Sequence, residues 1–168
     1  MAELSQLTSD NLDKQGFCDL GEEGKARYAR SLRFTPAVAT VLVVLGLILQ
    51  SPVVIGSMAL IGLTGALFPR GMLIDVVYNL AIRYAFNSPR LPPTPTPRRF
   101  SYGISTLWLA GSASSFYFGL PLLGILFGVP VAIGGTVLAT TLWCLGSWLY
   151  RPVGASLAKL KSKRKADK

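Results

Sequence analysis

The sequence has no histidine, only two cysteines (Cys18 and Cys144) and only eight acidic residues among 168. The absence of histidine excludes the usual zinc sites, histidine-based acid–base catalysis and the commonest haem ligand. Two cysteines are too few to hold an iron–sulfur cluster by themselves. We therefore expect no enzymatic activity, no metal and no cofactor, with a bound structural lipid or pigment as an open alternative.

Charge is scarce and unevenly placed. Charged residues make up 15% of the chain, against roughly 25% in soluble domains, while 51% is hydrophobic and the mean hydropathy is +0.46. Every Lys, Arg, Asp and Glu falls within 1–34, 69–100 or 151–168. The two charge-free blocks between these segments are predicted to lie in lipid. Because neither block holds a carboxylate, active transport by this chain alone is not expected.

The lengths of the two blocks predict the number of membrane crossings. A bilayer core of about 30 Å takes roughly 20 helical residues, so residues 101–150 suit two helices and a turn. In the first block, Gln50-Ser51-Pro52 predicts a break near the middle, because proline removes a backbone donor. The sequence thus predicts an all-α integral membrane protein with four transmembrane helices in two hairpins, 33–69 and 101–150.

Basic residues predict the orientation. They precede the first block, lie between the blocks and fill the tail, whereas the turns inside the blocks carry no charge. Since positive segments stay in the cytoplasm, both termini are predicted to lie on the cytoplasmic side of an inner membrane. The polar N-terminal segment, 1–32, does not resemble a cleavable signal peptide.

The basic tail, 151–168, has Lys or Arg at six of its last ten positions. These residues are expected to hold anionic lipid headgroups rather than nucleic acid. The predicted headgroup contacts are Lys161, Lys163, Arg164 and Lys165.

The segment between the hairpins, 70–100, divides in two. Residues 72–86 place apolar side chains at helical spacing and polar ones on another face, which predicts an interfacial helix on the cytoplasmic surface. Residues 88–100 hold five prolines, four of them within residues 92–97, and are predicted to form an extended polyproline II link. A spacer between hairpins is the favoured interpretation of this link, and a ligand for a proline-reading domain is the alternative.

Small residues recur four positions apart within the two blocks, a spacing that lets membrane helices approach closely. These stripes are interpreted as contacts within the bundle, with contacts to other subunits as the alternative. The predicted packing pairs are Gly62 with Ala66, Gly111 with Ser115, Gly124 with Gly128, and Gly135 with Ala139.

Four motifs carry a family resemblance: "GFCDLG" at 16–21, "LFPRG" at 67–71, "PRRF" at 97–100 and "CLGSWLY" at 144–150. In this order they resemble the small bacterial integral membrane proteins of domain-of-unknown-function family 4395, over about residues 16–152. In that family the closing motif often reads Cys-x-Gly-Cys, and Ser147 stands here in place of the second cysteine. The neighbouring genes of such proteins are often thioredoxin-like or rhodanese-like, so the resemblance implies a link to thiol chemistry but no activity.

Cys144 has two interpretations. In a continuous helix it would lie about 10 Å inside the cytoplasmic boundary among apolar residues, where a thiol stays protonated and poorly nucleophilic. Ser147, one turn later, cannot resolve a mixed disulfide, and its hydroxyl is expected to bond back to a helix carbonyl. A packing role for Cys144 is favoured, and a redox role together with Cys18 is the alternative.

Two functions follow from these features. The favoured one is a non-catalytic accessory or structural subunit that packs beside a larger membrane complex of the energy-transducing kind, photosynthetic or respiratory. The alternative is a membrane thiol-redox helper that uses Cys144 and Cys18. The expected partners are the membrane, anionic lipid and other membrane-protein subunits.

Overall fold

A computed structural model describes residues 5–70, 72–85 and 88–150, and within these ranges every regular element is a helix. The prediction of an all-α fold is therefore confirmed for this part of the chain. The helices are α1 (Gln6–Lys14), a 3-10 turn (Cys18–Leu20), α2 (Gly21–Ile48), α3 (Pro52–Leu67), α4 (Leu73–Val77), a π-helical turn (Tyr78–Ile82), α5 (Arg83–Ala85), α6 (Thr96–Tyr117) and α7 (Pro121–Thr141), and residues 145–150 are also helical.

The four long helices form an antiparallel bundle. Helix α2 packs against α3 and α7, and α6 packs against the same two helices. Along α3, Gly56 and then Gly62 face Ala113 and then Thr106 of α6, so these two helices run in opposite directions. Along α7, Gly128 and then Gly135 face Leu47 and then Thr40 of α2, so this pair is antiparallel as well. The bundle consequently has one end with two short uncharged loops, and the charged segment before the first apolar block and the one between the blocks lie at the other end, which we call the charged end.

The break inside the first hairpin occurs at the predicted place. Gln50 takes a left-handed conformation with φ 47°, and α3 begins at Pro52. The Ser51 hydroxyl caps the helix by accepting a hydrogen bond from the Val54 amide at 3.4 Å. Proline is favourable at the first position of a helix, because its missing N–H would have no intrahelical partner there.

Two stretches are long and apolar enough to cross a membrane by length and composition. They are Cys18–Ile48, whose most apolar 18 residues have a mean hydropathy of 1.9, and Pro121–Thr141, where the corresponding value is 2.2. Helix α3 is also apolar but has only 16 residues. Helix α2 begins at Gly21 rather than near residue 33, so its first turns are polar and extend beyond the apolar part of the bundle.

The bundle exposes apolar side chains and buries small polar ones. Thr35 and Ser112 are almost completely buried between the helices. A broad exposed apolar surface is typical of a protein that contacts lipid or other proteins. The exposed apolar side chains of the four helices include Val41, Leu45, Ile48, Val53, Leu60, Leu63, Leu107, Leu122, Leu126 and Ile133.

The segment after α3 also exposes apolar side chains and turns polar groups toward the bundle. Leu80 and Tyr84 are 72% and 68% exposed, whereas Tyr78 is buried and its hydroxyl donates to Ser31 Oγ at 2.9 Å. Asp75 turns inward and accepts a hydrogen bond from the Thr35 hydroxyl. The apolar face of this segment thus points away from the bundle. The predicted single helix over 72–86 is interrupted by the π-helical turn, and residue 86 lies outside the described residues.

The proline-rich link is shorter than predicted. Residues 88–95 are not helical, and Pro95 has φ −65° and ψ 157°, close to polyproline II. Helix α6 begins at Thr96, so the extended prediction is wrong for residues 96–100. Pro97 lies in the first turn of α6, where a proline costs no hydrogen bond.

Candidate functional site

A cavity of about 310 Å³ lies between the four long helices. Its deep wall is apolar, and its lining within residues 5–70, 72–85 and 88–150 includes no Asp, Glu, Lys or Arg. We call it the central cavity. The residues of the deep wall are Val43 of α2, Met58 and Ile61 of α3, Leu109 of α6, and Val131 and Leu138 of α7.

The polar groups of the central cavity lie toward the charged end of the bundle. Thr35, near the middle of α2, is the α2 lining residue closest to that end, Ser101 and Tyr102 lie in the first turns of α6, and Cys144 follows α7. The hydroxyl and thiol groups of the wall are therefore concentrated toward the charged end, while apolar side chains line the cavity along its whole length.

Cys144 lies in a break between helices, so the prediction of a continuous last helix is wrong. Helix α7 ends at Thr141, and Leu142 takes a left-handed conformation with φ 53°. The helix resumes at residue 145, where the Trp148 amide donates to the Cys144 carbonyl at 3.1 Å. Cys144 is 7% exposed, and its thiol donates a hydrogen bond to Ser101 Oγ at 3.0 Å. The break thus places the thiol on the cavity wall.

The N-terminal segment holds this break in place. Gln15 Nε2 donates to the backbone carbonyl of Leu142, and Asn11 Nδ2 donates to that of Thr141 at 3.1 Å. These amides satisfy carbonyls that the end of α7 leaves without helical partners. The left-handed conformation of Leu142 costs about 1–2 kcal/mol. Burial of its side chain beside Leu12 and Phe17 offsets that cost.

Gly146 is a site residue that the sequence reasoning missed. A Cβ built at Gly146 would lie 2.6 Å from Ser101 Cβ and 2.7 Å from Ser101 Cα. Only glycine therefore lets the segment after α7 approach α6 closely enough for the bond between Cys144 and Ser101. The glycine in the motif "CLGS" was the available signal for this contact.

Ser147 does not bond back to a helix carbonyl, so that prediction is wrong. Its side chain is completely buried, and its Oγ has no hydrogen-bond partner in the described part of the chain. Ser147 lies in the first turn after the break, and the carbonyl four residues earlier belongs to Trp143, which is not helical. The carbonyl that usually accepts from a helical serine therefore lies outside the helix in this case.

Two arginines at the charged end join helices to one another. Arg98 is 4% exposed, its Nε donates to the Tyr102 hydroxyl at 3.0 Å, and its Nη2 donates to the Leu32 carbonyl at 3.3 Å. Arg99 donates to the carbonyls of Ala66 and Leu67 at 3.0 and 2.6 Å. A basic side chain at the end of α3 is favourable, because the last helical carbonyls lack partners there.

Beside Arg98 lies a small polar cavity. It is separate from the central cavity and is lined by Phe17, Leu32, Thr35, Asp75 and Arg98, among others. Its volume of about 10 Å³ is close to the smallest that holds one water molecule.

The two cysteines lie in different environments. Cys18 is exposed on the 3-10 turn, and its thiol donates to the Asp13 carbonyl at 3.4 Å, whereas Cys144 is buried. Both thiols are free. Cys18 is not among the residues that line the central cavity.

Most of the predicted packing residues lie at contacts within the chain. A Cβ at Gly62 would meet Thr106 Oγ1 at 2.8 Å, and one at Gly124 would meet the Phe116 ring at 2.6 Å. Of the remaining predicted residues, Gly111 faces Phe127, Gly128 faces Leu47, Gly135 faces Thr40, Ala66 lies near Gly103, Ser115 donates to the Gly111 carbonyl, and Ala139 is half-buried. The predicted headgroup contacts Lys161, Lys163, Arg164 and Lys165 lie outside the described residues.

Comparison with known proteins identifies the family of this chain. No curated protein and no solved structure matches the chain. The family model described as a domain of unknown function (DUF4395) matches residues 29–154, which include the four long helices from Ala29 onward and the segment with Cys144 and Gly146. The family resemblance is confirmed, and the matched residues include three of the four motifs, whereas "GFCDLG" at 16–21 lies outside them. The chain belongs to domain-of-unknown-function family 4395.

Proposed function

We propose that this chain is an integral membrane protein in which α2, α3, α6 and α7 each cross the bilayer. The apolar surface of the bundle supports this proposal, since exposed positions of all four helices carry large apolar side chains. The outward apolar face between α3 and α5 supports it as well, because such a face fits the boundary between headgroups and acyl chains.

The charged end of the bundle is proposed to face the cytoplasm of a bacterial inner membrane. The segments at that end carry the basic residues, and the two loops at the other end are uncharged. Both termini then lie on the cytoplasmic side. Arg98 and Arg99 lie at that boundary, and their hydrogen bonds to backbone carbonyls and to Tyr102 stabilise their charges there.

We propose that the protein is a non-catalytic accessory subunit that packs beside a larger membrane complex, with energy-transducing complexes as the expected class. One observation carries this proposal: the charged groups near the bundle hold the chain together, while none of the described residues on the cavity wall is charged. Arg98 and Arg99 bind carbonyls, and Asp75 accepts from Thr35. Contact with other subunits is supported by Ala110 and Ser114, two small residues four apart that are exposed on α6.

The test is affinity purification of the tagged full-length protein in a mild detergent, with mass spectrometry of the proteins that accompany it. We expect a defined membrane complex in stoichiometric amount. Replacement of both Ala110 and Ser114 by leucine should release the partner, while Ser57→Leu on an exposed position of α3 should not. A protein that always purifies alone would contradict the accessory role.

A thiol-redox helper is the second candidate, and the position of Cys144 favours it. The thiol lies on a cavity wall at a break between helices rather than in the middle of a packed helix. This proposal predicts that the thiolate of Cys144 or Cys18 attacks the disulfide of an oxidised thioredoxin-like partner, forms a mixed disulfide with one sulfur and releases the other as a thiolate, without need of a larger complex. Loss of the trapped species in Cys144→Ala and Cys18→Ala would support it, and its absence from the native protein would contradict it.

A further inference from the structure

We propose that the central cavity binds an uncharged single-chain lipid. Its oxygen-bearing headgroup lies beside Ser101, Ser105 and Cys144, and its hydrocarbon tail lies along the deep apolar wall. This inference goes beyond the accessory role and rests on the proposed membrane placement.

The wall of the central cavity matches such a molecule at both ends. The deep part is hydrocarbon and thioether, from residues such as Met58, Leu109 and Val131. The end near the charged segments has the hydroxyls of Ser101 and Ser105. Ligand pockets in proteins commonly combine a mainly apolar wall with a few polar groups that fix orientation.

The entrance of the cavity faces the predicted bilayer. Exposed cavity residues lie on one side of the bundle, with Trp108 on α6, Gly134 on α7, and Leu145 after the break. Beyond this gap toward the uncharged loops, α6 and α7 touch through the edge contact of Trp108 with Phe127, whose ring centroids are 5.7 Å apart. A molecule that enters here therefore comes from the hydrocarbon layer, which selects a membrane-soluble ligand.

Contact between α6 and the chain after α7 bounds the gap at the charged end. Gly146 lies against Ser101 there, and the thiol of Cys144 is bonded to the same serine. The gap is thus a lateral opening rather than a mouth toward the cytoplasm. An acyl chain can pass through this opening, because no atom lies within 4 Å of a Cβ built at Gly134.

The polar groups select an uncharged headgroup. An ionised carboxylate or phosphate that entered the cavity would lose its hydration without finding a charged partner on the wall, since none of the described lining residues is charged. The nearby Arg98 guanidinium already donates to the Tyr102 hydroxyl and the Leu32 carbonyl. Ser101 Oγ accepts from Cys144, which leaves its own proton free to donate to an ester or hydroxyl oxygen. A glycerol ester with one acyl chain has this chemistry.

The test uses a monoacylglycerol with a diazirine in its acyl chain, added to the full-length protein in phosphatidylcholine nanodiscs and irradiated. A fatty acid with the same chain and diazirine is the matched probe, and both probes are compared at about pH 9, because the bilayer raises the carboxyl pKa and the fatty acid must be fully ionised. We expect the monoacylglycerol to label cavity-facing positions of α6 and α7, such as Leu109 and Val131, in clear preference to the fatty acid.

Ser105→Leu fills the cavity from α6 and should reduce this labelling by about tenfold, because the new side chain occupies the volume of the headgroup and removes a hydroxyl that would bind it. Ser57→Leu, an exposed change of the same kind, should leave it unchanged. If Ser105→Leu fails to fold, Gly134→Leu on α7 serves the same purpose, since a Cβ there meets no atom within 4 Å.

Labels confined to outward-facing residues, equal labelling by the two probes, or full labelling of the filled variants would overturn the proposal. Extraction of the chain from membranes by alkaline carbonate is measured separately. Loss into the soluble fraction would overturn the membrane placement itself, whereas an inserted protein without cavity labelling would overturn only the lipid site.

Discussion

Gln15 and Leu142 lie 127 positions apart, and the side-chain amide of Gln15 donates a buried hydrogen bond to the Leu142 carbonyl. Leu142 is the residue whose left-handed conformation ends α7. The N-terminal segment therefore takes part in forming the break that places Cys144 on the wall of the central cavity. Gly16, the next residue, lies against Pro95, so the same segment also contacts the proline-rich link.

Replacement of Gln15 by leucine should destabilise the protein by about 1–3 kcal/mol, because the buried Leu142 carbonyl would lose its partner while the volume stays filled. The measurement is the thermal unfolding midpoint in detergent, followed by tryptophan fluorescence. Asn11→Ala is the control, since its bond to the Thr141 carbonyl is exposed and should matter less. Equal effects of the two changes would contradict the role of Gln15.

Gly146→Ala should destabilise the protein by about 1–3 kcal/mol, because the new methyl group would overlap the Ser101 backbone. Gly134→Ala should be neutral or stabilising, since nothing lies within 4 Å of its Cβ and alanine favours the helix. Thermal midpoints of the two variants test the contrast. A tolerated Gly146→Ala would show that the segment after α7 can move away from α6.

Cys144→Ala should cost about 1 kcal/mol or less, and Cys144→Ser should be tolerated, if the thiol only packs on the wall. In the native protein a membrane-permeant maleimide should label exposed Cys18 quickly and buried Cys144 slowly. The rates are read by mass spectrometry of the labelled peptides. Fast labelling of Cys144, together with loss of function in both variants, would favour the redox alternative.

Reporter fusions test the proposed topology. Fusions within residues 88–98 and after Lys168 should report a cytoplasmic location, and insertions near Ser51 or Pro121 should report the opposite side. The reason is that the basic residues before the first apolar block and those between the two blocks lie at one end of the antiparallel bundle, to which α7 returns. A cytoplasmic signal at Ser51 would be incompatible with two membrane-spanning hairpins.

The stability that Lys25 contributes should depend on pH. Its Nζ lies 2.8 Å from Asp13 of α1, and this ion pair joins α1 to α2. The same Nζ lies 3.0 Å from Glu22 on its own helix. Hydrogen bonds, first to Asp13 and then to Glu22, raise the pKa of Lys25 above its ordinary value. Hydrogen bonds from Ser9 and then Lys25 lower the pKa of Glu22. The Glu22 contribution is therefore complete above its ordinary pKa of about 4.3 and is lost as the pH falls through the lower folded value.

The measurement compares thermal midpoints of the native protein and Lys25→Met across this range. The difference should hold between about pH 5 and pH 9, because Lys25 loses its proton only above its ordinary pKa of about 10.4. It should shrink below about pH 4.3. Lys14→Met, at an exposed position of α1, controls for the loss of one positive charge. A difference that persists undiminished at pH 3 would argue against the ion pairs.

The helical class, the break at Pro52 and the family were predictable from short stretches of sequence. Proline acts on its own turn, and the motifs are contiguous, so neither depends on distant residues. The extended link was misjudged at Thr96, because Pro97 is equally compatible with a link and with the first turn of a helix. The helix over 72–86 was predicted from the spacing of its apolar residues, but that spacing does not reveal the π-helical turn.

The sequence by itself determined that the chain is helical, where its charges and apolar blocks lie, and which family it belongs to, because these depend on residue type and local order. Only the tertiary structure decided that α7 stops at Thr141, that Gly146 touches Ser101, and that Cys144 lies on a cavity wall. These features arise where residues far apart in the chain meet. The hydrogen bond from the Gln15 amide and the burial of the Leu142 side chain offset the cost of the left-handed conformation that ends α7.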